Sequence, residues 1–357
     1  MISLPIYAFF THLVTLLTVV GIFISGKSRM FLGLAFVFSI IIISYCISLL
    51  YLSDYSVYVK IYDWVDPDAP LFDQPRPFSV EIGYLTLMYI VRGFTENFDF
   101  IRIGLIFVGL LIKVLFLMRW GKFYLISFLF YLSFIWYPDS YLLRSSFAGS
   151  LALIGFWAML DKRPAYQFFL PIIISSTFHI SALVLLPLWW LKRARVSQKL
   201  GYFILSILII FGIFGIGHFL VELIARIFSV DLYLVDRLVN YSKNEYGQSI
   251  GLLRISVLVY TLITTAYIFF RETIANRIPY YDNILVFLLF SLLLLIGLSD
   301  FEVLADRLFR LTAFFFVIAI GHIFYCLQKR DQIIFFVIIL PICNLFPYLE
   351  PGAVAFL

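Results

Sequence analysis

Long apolar stretches follow one another from end to end of the chain, at about 4–25, 31–52, 101–118, 123–137, 142–160, 200–228, 249–270, 282–299, 307–327 and 332–349, with short polar joints between them. The hydrocarbon core of a bilayer takes roughly 20 residues of helix to cross. This pattern predicts about ten transmembrane helices. Two other stretches do not fit a crossing. The first, 81–94, is too short and carries Arg92, so it reads as an interfacial helix. The second, 166–191, is interrupted at its centre by Ser175, Ser176, Thr177 and His179 and has basic joints on both sides. It reads as a re-entrant helical hairpin whose two halves meet in mid-membrane, an arrangement allowed only where irregular backbone is buried in protein or lines a cavity. The fold expected is an all-α polytopic membrane protein, with 1–357 as a single transmembrane domain.

The joints settle which ends can meet. Basic residues gather at Lys27/Arg29, Arg119/Lys122, Lys162/Arg163, Lys192 to Lys199, Arg271/Arg277 and Lys329/Arg330, all cytoplasmic by the positive-inside rule. Parity is satisfied only if 81–94 and 166–191 do not cross. Both termini then lie outside, as do the loops 53–80, 229–248 and 299–306. Most of the acidic residues fall on that outer side.

Composition agrees with the pattern. The chain is 63% hydrophobic and only 13% charged, with a mean hydropathy of +1.03, whereas soluble domains carry about 25% charged residues. A soluble enzyme or a nucleic-acid-binding protein is excluded. The first apolar stretch has no basic n-region and no small-residue cleavage site, so it is expected to stay as the first helix. Cys46, Cys326 and Cys343 lack the paired spacing of a zinc or redox site. There is no glycine-rich phosphate loop, no G-x-S-x-G elbow and no His/Cys metal set, so no metal and no cofactor is expected. Asp66 and Asp68 have the D-x-D spacing of nucleotide-sugar enzymes but fall on the outer side, where no nucleotide-sugar pool exists.

The candidate chemistry lies at the outer ends of helices. Arg144 sits just inside one such end, and Arg307 and Arg310 just inside another. An ion in hydrocarbon costs roughly 2.5–3.5 kcal/mol on insertion scales, so each needs a partner or a wet cavity. Asp139 is a possible internal partner for Arg144, and Asp300 or Glu302 for Arg307. The alternative is an external one: guanidinium forks suit phosphate, and a lipid-linked diphosphate arrives at this depth. Asp54 reads either as a helix terminator or as a partly buried carboxylate able to deprotonate a hydroxyl. Glu81 begins the interfacial helix, where the dipole alone favours an acid. His179, at the break of the hairpin, is either a hydrogen-bonded packing residue or a phosphate ligand or proton relay. The tyrosines of 53–80 suit both a membrane interface and the stacking of sugar faces. Gly212, Gly215 and Gly217 read as close-packing positions on one long helix.

The succession "SDYSVYVKIY", "EIGY", "YLLRSSFAGSLAL", "FHISALVLLPL" and a late arginine ahead of aromatics resembles the EpsG family of bacterial exopolysaccharide proteins, relatives of the Wzy-like polymerases. The resemblance runs from about residue 50 to 325. It implies a GT-C-like membrane glycosyltransferase that polymerises undecaprenyl-pyrophosphate-linked oligosaccharide, moving a growing glycan from its lipid pyrophosphate to a sugar hydroxyl of the next unit. The site would face the periplasm or exterior of the bacterial plasma (inner) membrane. The family's motifs fall on Asp54, Tyr55 and Tyr58; on Glu81, Gly83 and Tyr84; on Arg144 and Ala148; on His179, Ser181 and Ala182; and on Arg310 with Phe314 and Phe315, Arg307 being the competing register. Arg144 and Arg310, supported by Arg307 and Arg76, would then bind the diphosphate, and Tyr55, Tyr58 and Tyr84 would be further substrate-binding residues. Asp54 or Glu81 would be the base, with His179 auxiliary. Membrane lipid and a chain-length regulator are the further partners implied, and no nucleic acid. Two other functions fit the same residues: a flippase for lipid-linked sugar and an O-antigen ligase.

Overall fold

The computed structural model describes residues 55–73, 80–135, 142–217, 219 and 254–335. Asp54, Arg76, Asp139, the loop 229–248 and the stretches expected at 4–25, 31–52 and 336–349 lie outside them. Every regular element among the described residues is a helix. Contacts gather the chain into two compact units, Met1–Leu186 with Gln328–Leu357, and Pro187–Leu327.

In the first unit, α1 (Tyr55–Asp63) and α2 (Ile82–Arg92) are short and α3 (Phe98–Trp120) is long; α4 (Tyr124–Phe134), α5 (Leu143–Leu160) and α6 (Tyr166–Phe178) follow. Asn97 caps α3, its side chain accepting from the Asp99 N–H, the usual remedy for the unpaired donors of a helix start. α3 and α5 are each long and apolar enough to cross a membrane. At 1.5 Å per residue, the 18 residues of α5 reach about 27 Å.

Small residues let these helices close on one another. A Cβ on Gly155 of α5 would come within 2.8 Å of the Phe168 carbonyl of α6, and one on Gly109 of α3 within 3.2 Å of Ser150 Oγ of α5. Close approach of backbones through small side chains is how membrane helices gain packing without a hydrophobic drive. The pairing of Gly155 with Phe168, and of Ala148 O with Ser175 Oγ at 2.5 Å, makes α6 antiparallel to α5. At one end of this pair, Asp161 collects Arg119 (3.3 Å), Arg163 (3.1 Å) and the Trp157 indole (3.0 Å). The other end carries Arg144.

The break expected near residues 175–179 occurs at His179, whose backbone is extended (φ −156°, ψ 113°). Ser176 and Thr177 do not break the helix. Their hydroxyls donate to the carbonyls of Ile173 and Ile174, a local bond a helix accommodates. A 3-10 turn, Ile180–Leu185, follows. The register puts the break level with the first turn of α5, rather than halfway along it.

The second unit holds α7 (Leu188–Leu191), α8 (Gln198–Phe214), α9 (Ile255–Phe269), α10 (Arg271–Ala275), α11 (Tyr281–Gly297), α12 (Glu302–Arg310) and α13 (Phe314–Cys326). α11 and α13 are buried almost all round. Two boundaries differ from the apolar pattern. The helix expected over 200–228 ends its regular run at Phe214, because Gly215 is left-handed (φ 61°), a conformation that costs glycine nothing. The crossing expected at 307–327 is two helices bent by 54°. There Thr312 turns its hydroxyl back onto the Phe309 carbonyl, which also accepts from the backbone N–H groups of Thr312 and Ala313, and side-chain competition of this kind bends helices.

Candidate functional site

Glu81, Arg144 and His179 meet. One oxygen of the Glu81 carboxylate accepts from Arg144 Nη1 at 2.6 Å. The other faces His179 Nδ1 at 3.0 Å and the Ile180 N–H at 3.4 Å. Arg144 therefore has an internal anion, on α2. The side chains are 26% (Arg144), 14% (Glu81) and 12% (His179) exposed.

Local sequence explains the meeting. Glu81 is the N-cap residue of α2, yet its side chain makes no bond to its own helix and reaches across instead. Two residues on, Gly83 has no side chain where a Cβ would overlap the Thr177 hydroxyl and come within 2.9 Å of its carbonyl. That close approach seats the start of α2 on the end of α6. The extended backbone at His179 then turns its ring out of the helix toward Glu81. Arg144, in the first turn of α5, faces the same point because α5 and α6 run side by side in the register above.

Burial raises the Glu81 pKa, but the His179 hydrogen bond and the Arg144 charge outweigh it and hold the carboxyl below the usual range. Glu81 is thus an anion at neutral pH. An ionised carboxylate accepts only, so a neutral His179 presents its Nδ1 hydrogen to Glu81 and leaves Nε2 as the basic nitrogen. The arrangement unites a cation able to hold an oxyanion with an oriented imidazole able to take a proton.

Tyr58 and Tyr84 wall the site. The Arg144 guanidinium carbon lies 5.9 Å from the Tyr58 ring centre and 6.0 Å from that of Tyr84, and the two rings meet edge to face at 6.0 Å. Tyr55 is elsewhere, beneath Arg102 on α3 at 4.7 Å.

Arg307 and Arg310 belong to the second unit. Arg310 is gripped at both ends of its fork by Asp306, with Nε and Nη2 each 2.8 Å from a carboxylate oxygen. Glu302, a candidate partner for Arg307, instead pairs with Arg254 at 2.8 Å. Arg307 is half-buried and has no ion-pair partner among the described residues. His322 is fully buried, its Nδ1 3.1 Å from the Tyr267 hydroxyl.

Sequence reasoning overlooked Lys113, a buried lysine in α3 that donates to Ser146 Oγ at 3.1 Å and to the Tyr131 hydroxyl at 3.4 Å. Its signal was available: a lone lysine in the middle of an apolar run is a functional candidate by default. The mean hydropathy of the run hides it.

Among the described residues every regular element is a helix, several of them apolar and two long enough to span, and a shielded Arg–Glu–His cluster lies at the Arg144 end of α5, which together define a membrane-embedded protein with a charged site at a helix end. The EpsG family model matches residues 33–349, and the chain belongs to the EpsG family. Membership points to a polysaccharide-polymerase-like, glycosyltransferase-like role. No curated protein and no solved structure matches the chain significantly.

Proposed function

We propose that this protein is a GT-C-like polysaccharide polymerase at the outer face of the bacterial inner membrane. It transfers a growing glycan from undecaprenyl pyrophosphate to a sugar hydroxyl of the next lipid-linked repeat. The observation that carries the reading is the Arg144–Glu81–His179 cluster, in which one carboxylate orients both a guanidinium and an imidazole.

In this mechanism Arg144 stabilises the charge that grows on the pyrophosphate as the anomeric carbon–oxygen bond breaks. His179 Nε2 takes the proton from the acceptor hydroxyl as its oxygen bonds to that carbon. Pyrophosphate leaves on the lipid, and the proton stays on the imidazole until it passes to solvent. Glu81, with both oxygens engaged and its pKa depressed, is a weak base and serves to position its two partners. Asp54 remains the other carboxylate able to act as base.

Complementation of a polymer-deficient strain tests this. Arg144→Ala and His179→Ala proteins that still reach the membrane should reduce the polymer ladder to a single lipid-bound repeat. A normal ladder from both refutes the assignment. Loss of every externally exposed repeat identifies a flippase instead.

A further inference from the structure

Two polar atoms in the wall of this site have nothing to bond. Tyr84 is fully buried, and its hydroxyl has no hydrogen-bond partner among the described residues. Arg144 Nε is likewise buried and unpaired. Their charged neighbours are matched: Arg144 Nη1 by Glu81, and the Glu81 oxygens by Arg144, His179 and Ile180. Buried polar groups in folded proteins are almost always paired, so each unpaired one calls for an explanation, and two side by side at a charged site point to a shared missing partner. Here there are two, on side chains whose ring centre and guanidinium carbon are 6.0 Å apart.

Their chemistry restricts that partner. The Arg144 Nε–H can only donate, and a phenol donates readily to an anion. A group that satisfies both is an oxygen acceptor, and beside a guanidinium the favoured one is anionic. Glu81 holds only the Nη1 corner of the fork, which leaves the Nε edge for a second oxyanion. An apolar side chain fits neither atom, and a second cation could donate to the phenol oxygen but not accept from the Arg144 Nε–H.

We propose that the Tyr84 hydroxyl and Arg144 Nε together grip one phosphoryl oxygen of the diphosphate, making Tyr84 a binding residue for the leaving group. This rests on Arg144 being the diphosphate dock. Arg144, one-quarter exposed, is the movable half of the grip, and Tyr84, anchored in the packing of α1, α2 and α3, is the fixed half.

The full-length protein in detergent tests it, with farnesyl diphosphate and inorganic pyrophosphate as probes. Tyr84→Phe removes one oxygen and little else. It should weaken binding about tenfold, the scale of one hydrogen bond to a charged acceptor. Its Tm should stay level or rise, because the atom lost was unpaired. Equal weakening for both probes makes the free diphosphate sufficient; weakening for farnesyl diphosphate alone makes the lipid-linked form the ligand, and either result upholds the grip. Full affinity with a lowered Tm shows that the hydroxyl holds structural water and overturns it, as does full affinity with an unchanged Tm. Arg144→Ala separates the two readings. If it keeps full affinity, or if the unmodified protein binds neither probe, the dock itself fails. If Arg144→Ala loses binding while Tyr84→Phe keeps it, only the role of Tyr84 falls.

Discussion

Glu81 illustrates how one side chain acquires its role from neighbours far away in sequence. Its carboxylate accepts from groups 63 and 98 residues further along, and because burial alone would raise its pKa, the lowering comes from those partners. A depressed carboxyl stabilises the fold above its unfolded pKa, about 4.3 for glutamate, and loses that contribution as pH falls through the lower folded value. Glu81→Gln should therefore lower stability at pH 7 by about 1–2 kcal/mol, less than a fully buried pair because Arg144 is partly exposed. The difference from the unmodified protein should vanish as pH falls through the acid limb. Thermal unfolding in detergent between pH 7 and pH 3 checks this, and a pH-independent difference would contradict it. At this scale the sequence revealed which residues were costly, Arg144 above all, and offered Asp139, which lies outside the described residues, as its candidate partner. Glu81 was invisible as a counter-ion because an acid at a helix start already has a local explanation.

At the scale of helices, Gly83 and the break at His179 act together. The missing side chain lets α2 lie against α6, and the break turns the imidazole toward the helix that has just arrived. Gly83→Ala should separate the two by wedging against Thr177, costing about 1–3 kcal/mol as overpacking does. Polymer output should fall with it, because Glu81 is carried away from His179. Ile82→Ala, at a neighbouring exposed position, should leave both stability and ladder near normal. Immunoblots of the ladder and melting curves of the purified variants measure the contrast. Among the described residues the apolar pattern was a good guide to where helices lie. It was a poor guide to where they stop, as Gly215 and Thr312 show: a left-handed residue and a hydroxyl that bonds its own backbone change hydropathy very little.

For the whole molecule, orientation is the quantity to test. The Arg144 end of the α5–α6 pair should face outward and the Asp161 end, with Arg119 and Arg163, inward. In a background with Cys46, Cys326 and Cys343 replaced, Asp68→Cys in the exposed loop after α1 should react with an impermeant maleimide on intact cells. Ala165→Cys, exposed in the joint between α5 and α6, should react only after permeabilisation. The reverse pattern would put the charged cluster on the cytosolic side and remove the lipid-linked donor from its reach.

What the sequence determined by itself was the solvent and the alphabet: hydropathy and helix length imposed a membrane and helices throughout the described residues, and the cost of an ion in hydrocarbon marked Arg144 as a residue needing a partner. Tertiary structure alone decided who that partner is. Pairing depends on how α2, α5 and α6 pack, and that packing turns on the absence of a methyl group at Gly83 and an extended backbone at His179, features too small to alter any hydropathy average yet large enough to bring a carboxylate within 2.6 Å of a guanidinium.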